Sequence, residues 1–209
     1  MCGIGGIIGN NWEQSQLNAM LDIQHHRGPD DEGIFIDSNG QCGLIHNRLK
    51  IIDLSSSGKQ PMPNPDQSLW IVFNGEIYNF LELRDELEKS GHKFKTLSDT
   101  EILLAAYLEW GEDCLYKFNG MWAFALWDKV EQTLFLSRDR FGVKPLFFLN
   151  NSEQFVFASE LKAFMALPTG ARPDFDLAMV ARMKNEESGE REWKKDSQSG
   201  KNKTAHFRS

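Results

Sequence analysis

The sequence predicts an α+β sandwich in which two sheets pack on each other and helices cover the outside. Three observations lead there. Two groups of strand-like segments flank a pair of helical segments in the middle of the chain. Many of these strands lack a polar face, so both of their faces must be covered. The 209 residues are 41% hydrophobic, enough for one domain with a self-supporting core or for a domain plus a tail.

The elements follow in order. Residues 3–9 (GIGGIIG) predict a short buried strand, with glycines where another backbone comes close. Residues 12–25 set Leu17, Met20 and Leu21 on one helical face. HRGPDDEG is turn-rich. GIFIDS and QCGLIHNRLKIID follow as strands, broken by Asn39-Gly40, a strong hairpin pattern. A Ser/Pro/Asn-rich loop covers about 55–67, and SLWIVFN (68–74) is a buried strand. Asn79 and Glu82 have the spacing of a capping box, and Gly91 closes that helix. Ser98 and Glu101 repeat the spacing ahead of EILLAAYLEW, which Gly111 closes. MWAFALWD, QTLFLSRD, PLFFLN and QFVFAS are strands, and SELKAFMAL is a final helix. There is no internal repeat.

Composition excludes several classes. The net charge of -7 argues against a general nucleic-acid binder, which needs a cationic face. The cysteines Cys2, Cys42 and Cys114 are too few and too irregular for a disulfide framework. No stretch has the ~20 apolar residues of a membrane span, and no signal peptide is apparent. The expectation is a cytoplasmic protein with neither membrane nor nucleic-acid partner. Residues 181–209 differ from the rest: eight Lys/Arg against five Asp/Glu make the segment +3, leaving 15 against 25, or -10, in residues 1–180. With almost no branched aliphatic residues, this tail is expected to be disordered.

The chemistry starts at Cys2. With Met1 removed, it carries a thiol and a free α-amine on one carbon. An α-amine titrating near ~7.7–8 can take the proton of a thiol titrating near ~8.5, so one residue supplies nucleophile and base. Taken alone, a cysteine beside a strand is better explained as a small hydrophobe. Acyl transfer also needs an oxyanion hole, and Asn74-Gly75 in FNGEIYN offers a side-chain amide and a glycine N–H. The same dipeptide is a common hairpin turn. An α-amino-acid substrate needs a cation and an anion. Arg48 has the planar fork that suits a carboxylate, and Asp99 is available for an ammonium. The alternatives are a surface ion pair for Arg48 and a helix first-turn role for Asp99. What favours the catalytic reading is that all four parts are present together. His25, His26, His46 and Cys42 have no paired spacing for a zinc site, so no metal is expected. No phosphate loop of the Walker type occurs.

MCGIGGIIG, HRGPDDEG, HNRLKIID, FNGEIYN, LSDTE, RDRFGVKPLFF and FASELKA occur in this order. Together they resemble the glutaminase domain of the glutamine-hydrolysing asparagine synthetases, a class II (N-terminal nucleophile) glutamine amidotransferase domain. The resemblance runs to about residue 167, more faintly to 180. It implies a four-layer α/β/β/α sandwich over 1–180 and hydrolysis of L-glutamine to L-glutamate and ammonia for asparagine biosynthesis. It makes Cys2 the nucleophile and Asn74 and Gly75 the oxyanion hole. Arg48 would take the α-carboxylate and Asp99 the α-ammonium. Glu76 and backbone groups near Ile51 and Ile52 would complete the pocket. Arg27 to Asp30 would form a structural or gating loop beside it.

The departure is the second domain. A full synthetase of this kind continues into a part that binds ATP and aspartate through a Ser-Gly-Gly-x-Asp-Ser loop, and nothing like it occurs here. The expectation is a truncated form that needs no cofactor for the glutaminase half. ATP and Mg would serve only the absent half, and a synthetase domain or subunit would be the partner that accepts ammonia. Three other readings stay open: a class II amidotransferase domain serving another acceptor, a non-catalytic binding or regulatory remnant, and a hydrolase of some other amide.

Overall fold

The computed structural model describes residues 1–50, 58–172 and 203–208. Its strands build two five-stranded antiparallel sheets. The first contains β1 (Gly3–Gly9), β2 (Asp31–Ile36), β3 (Cys42–Arg48), β8 (Phe147–Asn150) and β9 (Gln154–Ala158), in the order β2-β3-β1-β9-β8. The second contains β4 (Met62–Pro63), β5 (Leu69–Ile77), β6 (Gly120–Asp128), β7 (Thr133–Arg138) and β10 (Lys203–Arg208), in the order β10-β7-β6-β5-β4. The helices are α1 (Gln14–Gln24), α2 (Phe80–Lys89), α3 (Asp99–Trp110) and the single turn α4 (Cys114–Lys117).

The absence of a polar face on the strands has its explanation in three apolar layers. Between the sheets, Ile4, Ile8, Leu44 and Phe157 of the first meet Val72, Ala125, Trp127 and Leu136 of the second. Outside the first sheet, Ile7, Ile45 and Val156 pack on Leu17, Met20 and Leu21 of α1 and on Phe164. Outside the second, Ile71, Phe73, Phe124 and Phe135 pack on Leu83 and Leu87 of α2 and Ile102 and Leu103 of α3. Each strand sends alternate residues to opposite layers. The result is the expected α/β/β/α sandwich.

Four local expectations need correction. Asn79 begins α2, yet it forms no capping box. Its amide reaches across to the Lys117 carbonyl and accepts from Asn119 N–H, tying α2 to the start of β6. Ser98 does cap α3, accepting from Thr100 N–H at 3.2 Å, whereas Glu101 turns away to Lys95 and Thr96. The last predicted helix is a tighter 3₁₀ segment, Leu161–Ala166. Within the tail expected to be disordered, Lys203–Arg208 form β10, paired antiparallel with β7 from Lys203↔Arg138 to Arg208↔Thr133. Strand addition satisfies backbone groups at a sheet edge whatever the composition, which a reading from hydrophobic content does not capture.

Candidate active site

The site lies at one end of the space between the sheets. On β1, Ile4 and Ile8 face the other sheet, and the two-residue period carried back one step puts Cys2 on that face. On β3, Cys42 and Leu44 face inward, and the same period brings His46 and Arg48 to the inner face. Val72 does so on β5, and with it Asn74. One pocket is lined by Cys2, His46, Arg48, Leu49, Gln60, Phe73, Gly75, Glu76, Asp99 and Thr100, among others. Five of the residues expected to act together, Cys2, Arg48, Gly75, Glu76 and Asp99, therefore share a single cavity. Asn74 lies beside it in the strand. Ile51 and Ile52 lie outside the described residues.

Cys2 is half-buried just ahead of β1. Its Sγ accepts from Leu49 N–H at 3.4 Å and approaches the Leu49 carbonyl at 3.7 Å. Burial pushes the thiol up, while the Leu49 N–H bond, the terminal ammonium, Arg48 and Lys144 pull it back. Arg27, in the loop expected beside the site, donates from Nε to the Cys2 carbonyl at 3.0 Å and from Nη1 to Glu160 at 3.0 Å. Glu160 also holds His26 at 2.8 Å and Lys162 at 3.1 Å. The loop thus clamps the backbone of the thiol-bearing residue.

Asn74-Gly75 is no turn. Both residues lie inside β5, paired with Ala123 and Trp122 of β6. Phe73 N–H and Ile77 N–H point away from β6, one to Gln60 Oε1 at 2.6 Å and the other to Asp99 Oδ2 at 3.1 Å. Gly75 lies two residues from each, so its N–H faces the same side, with no acceptor among the described residues. The Nδ2 of Asn74 is buried without a hydrogen-bond partner. Two neighbouring donors, one in the cavity wall and one beside it, thus lack a partner among the described residues, and a buried unpaired donor persists in a fold only at a cost.

Arg48 is no surface residue: it is buried at the end of β3, opposite Asp31. Asp99 is the first residue of α3 and nearly buried. Burial pushes its carboxyl up to about 6. The Ile77 and Thr100 N–H groups oppose the rise, and the charge of Glu76 adds to it. Glu76 lines the same cavity. A buried carboxyl whose charge is disfavoured, beside a second acid, is a site that a substrate cation would stabilise.

Sequence reading missed Gln60 and gave His46 no part in this site. His46 is buried, and its Nε2 lies 3.2 Å from the Phe73 carbonyl, which can only accept, so Nε2 carries the proton. Burial pushes its imidazole down to about 4, keeping it neutral. Gln60 sits in a loop without periodicity. Neither is flagged by local pattern. Among the described residues no group of three or more His, Cys, Asp or Glu side chains could hold a metal, and no helix is long and apolar enough to cross a membrane.

A thiol at the second residue thus heads the central strand of one sheet in an α/β/β/α sandwich. The chain belongs to the glutamine amidotransferase domain family, whose model matches residues 1–193. Over 185 residues it is 45% identical to a putative glutamine-hydrolysing asparagine synthetase 2 of Methanocaldococcus jannaschii, covering 80% of this chain and 35% of that protein. It is 43% identical over 171 residues to glutamine-hydrolysing asparagine synthetase 1 of Bacillus subtilis, covering 79% of this chain and 27% of that protein. The chain thus spans about a third of the length of these relatives. Among solved structures, the glutamine phosphoribosylpyrophosphate amidotransferase of B. subtilis superposes with a TM-score of 0.67 at 23% identity, over 79% of this chain and 43% of that one.

Proposed function

We propose that the domain hydrolyses L-glutamine to L-glutamate and ammonia, and that the ammonia serves asparagine formation by a synthetase domain or subunit. The observation that carries the reading is the single cavity joining Cys2 to Arg48, Gly75, Glu76 and Asp99, with the unpaired Asn74 amide beside it. The residue types suit a free α-amino acid with a side-chain amide. Arg48 takes the α-carboxylate, and Asp99, with Glu76 near it, takes the α-ammonium. Backbone groups near Ile51 and Ile52 are proposed to complete the pocket.

In the reaction, Met1 is first removed. It is 55% exposed and so open to an aminopeptidase. The freed α-amine of Cys2 takes the thiol proton. Sγ attacks the side-chain amide carbon of glutamine, and the oxyanion is met by Asn74 Nδ2 and Gly75 N–H. As the C–N bond breaks, the α-ammonium returns its proton to the leaving nitrogen, and ammonia departs. Water, deprotonated by the same amine, hydrolyses the thioester, releasing glutamate and restoring the thiol. The steps need neither metal nor cofactor, and ATP and Mg belong to the ligase half.

The test is glutamate release from glutamine by the purified chain, with Met1 removal verified by intact mass and Cys2→Ala as the blank. Release that disappears in Cys2→Ala supports the reading. No release from correctly processed protein refutes self-sufficient hydrolysis. Asparagine formation upon adding a synthetase domain of a relative, with glutamine as nitrogen source, tests the acceptor.

A further inference from the structure

We infer that Gln60 is a positioning residue that fixes the oxyanion strand and the ammonium-binding helix end relative to each other; the inference rests on the glutaminase reading above. Strand β4 pairs with β5 only at Met62↔Ile71 and Pro63↔Trp70. Extending that antiparallel register by two residues sets Gln60 opposite Phe73. The backbone ladder does not continue there. The Gln60 side chain takes over, its Oε1 accepting Phe73 N–H at 2.6 Å. Had the backbone gone on pairing, it would have covered Gly75 N–H as well. Gln60 therefore ends the sheet two residues before the proposed oxyanion donor, which meets no acceptor among the described residues.

The other end of the same amide donates from Nε2 to Thr100 Oγ1 at 3.1 Å. Thr100 is buried, next to Asp99 in the first turn of α3. One planar group thus spans from β5 to α3, and the neighbouring Asp99 carboxylate ties the same helix end back to β5 at Ile77, so the two links flank Gly75 in the strand. The loop that carries Gln60 is itself pinned. A Cβ on Gly33 of β2 would come within 2.0 Å of the Gln60 carbonyl oxygen, so the backbones touch there and only glycine fits. Gln60 is 6% exposed and both polar ends of its side chain are satisfied, so the amide has no freedom to turn.

The two arms separate by experiment. Gln60→Leu removes both and should lower kcat for glutamine hydrolysis about 100-fold, because a small displacement of an oxyanion donor is felt in the transition state. Gln60→Glu keeps an oxygen against Phe73 N–H and should restore kcat to within about threefold of the parent. Thr100→Val removes only the helix arm. It should weaken glutamine binding about five- to tenfold, measured calorimetrically in a Cys2→Ala background, with kcat little changed. Activities are normalised to folded sites. A parent that hydrolyses glutamine, together with Gln60→Leu that matches it in kcat and affinity, overturns the inference and leaves the function standing. A parent that neither hydrolyses nor binds glutamine overturns both. Should Gln60→Leu fail to fold, the other two variants decide: low kcat in Gln60→Glu or unchanged affinity in Thr100→Val refutes the coupling.

Discussion

Acidification should weaken glutamine binding through Asp99 alone, and by an amount the structure supplies. The carboxyl titrates at about 6 instead of 3.8 because it is buried, with Glu76 adding to the shift. An ammonium is attracted only to its ionised form. The apparent affinity then scales with the ionised fraction, about nine-tenths at pH 7 and about one-tenth at pH 5. The dissociation constant of glutamine should rise about tenfold across that interval. Calorimetry on Cys2→Ala removes the competing titration of the thiol. Asp99→Asn should bind weakly at both pH values and lose the dependence. A dissociation constant that stays flat from pH 7 to pH 5 in the Cys2→Ala protein would refute the assignment. A stability signature goes with it. Since the folded carboxyl binds its proton more tightly than the unfolded one, its contribution is fully present below about pH 4 and is lost as pH rises through about 6. The ionised group costs at most about 3 kcal/mol at neutral pH. Asparagine still accepts Ile77 N–H and carries no charge. Asp99→Asn should therefore unfold at higher temperature than the parent at pH 7 and with it at pH 4. His46 acts in the opposite sense, costing stability as pH falls from 6.5 through about 4, and cancels in this comparison.

Three further outcomes follow from the same geometry. Asn74→Ala should lower kcat about 10²–10³-fold with little change in glutamine affinity, since the amide acts on charge that develops only in the transition state; steady-state kinetics and binding on Cys2→Ala/Asn74→Ala check the split. Gly75→Ala should fold poorly or lose activity, because the new Cβ would sit 2.4 Å from the Met121 carbonyl oxygen and 2.6 Å from the Phe73 ring; a thermal melt and glutamate assay at parent level would count against the tight packing. Arg48→Lys should raise KM about tenfold or more and leave kcat nearly intact, because a point charge replaces the two-pronged contact to carboxylate, and an unchanged KM would remove Arg48 from that role.

The layers were legible because alternate burial leaves its trace in each strand separately: Phe155 and Phe157 face one layer, Val156 and Ala158 the other. The candidate site was legible where its proposed parts are consecutive in sequence, as with Asn74-Gly75 and the thiol and amine of Cys2. It was not legible where a role depends on a partner far along the chain. Gln60 meets Thr100 forty positions away, and nothing in GKQPMP marks its amide as a bridge. His46 reads as a lone core histidine, which it is, and only the Phe73 carbonyl shows which nitrogen carries the proton. Asn79 misled for the same reason. Its spacing to Glu82 fits a local cap, but the two bonds to Lys117 and Asn119 outcompete it. β4 is two residues long, too short for any alternation to show.

Residues 3–9 are sequence-first but sit third of five in their sheet, with β3 on one side and β9 on the other. Gly5 pairs with Ile45 and also with Ala158, more than 150 positions on. The proposed nucleophile therefore hangs on a strand whose second flank is synthesised about 150 residues after it. A nascent chain holding Cys2, Arg48, Gly75 and Asp99 still lacks the wall that orders its first residues. Such loop closures are slow compared with local helix formation. A fragment ending before β9 would hold every proposed catalytic group yet lack one of the two strands that flank the segment behind Cys2.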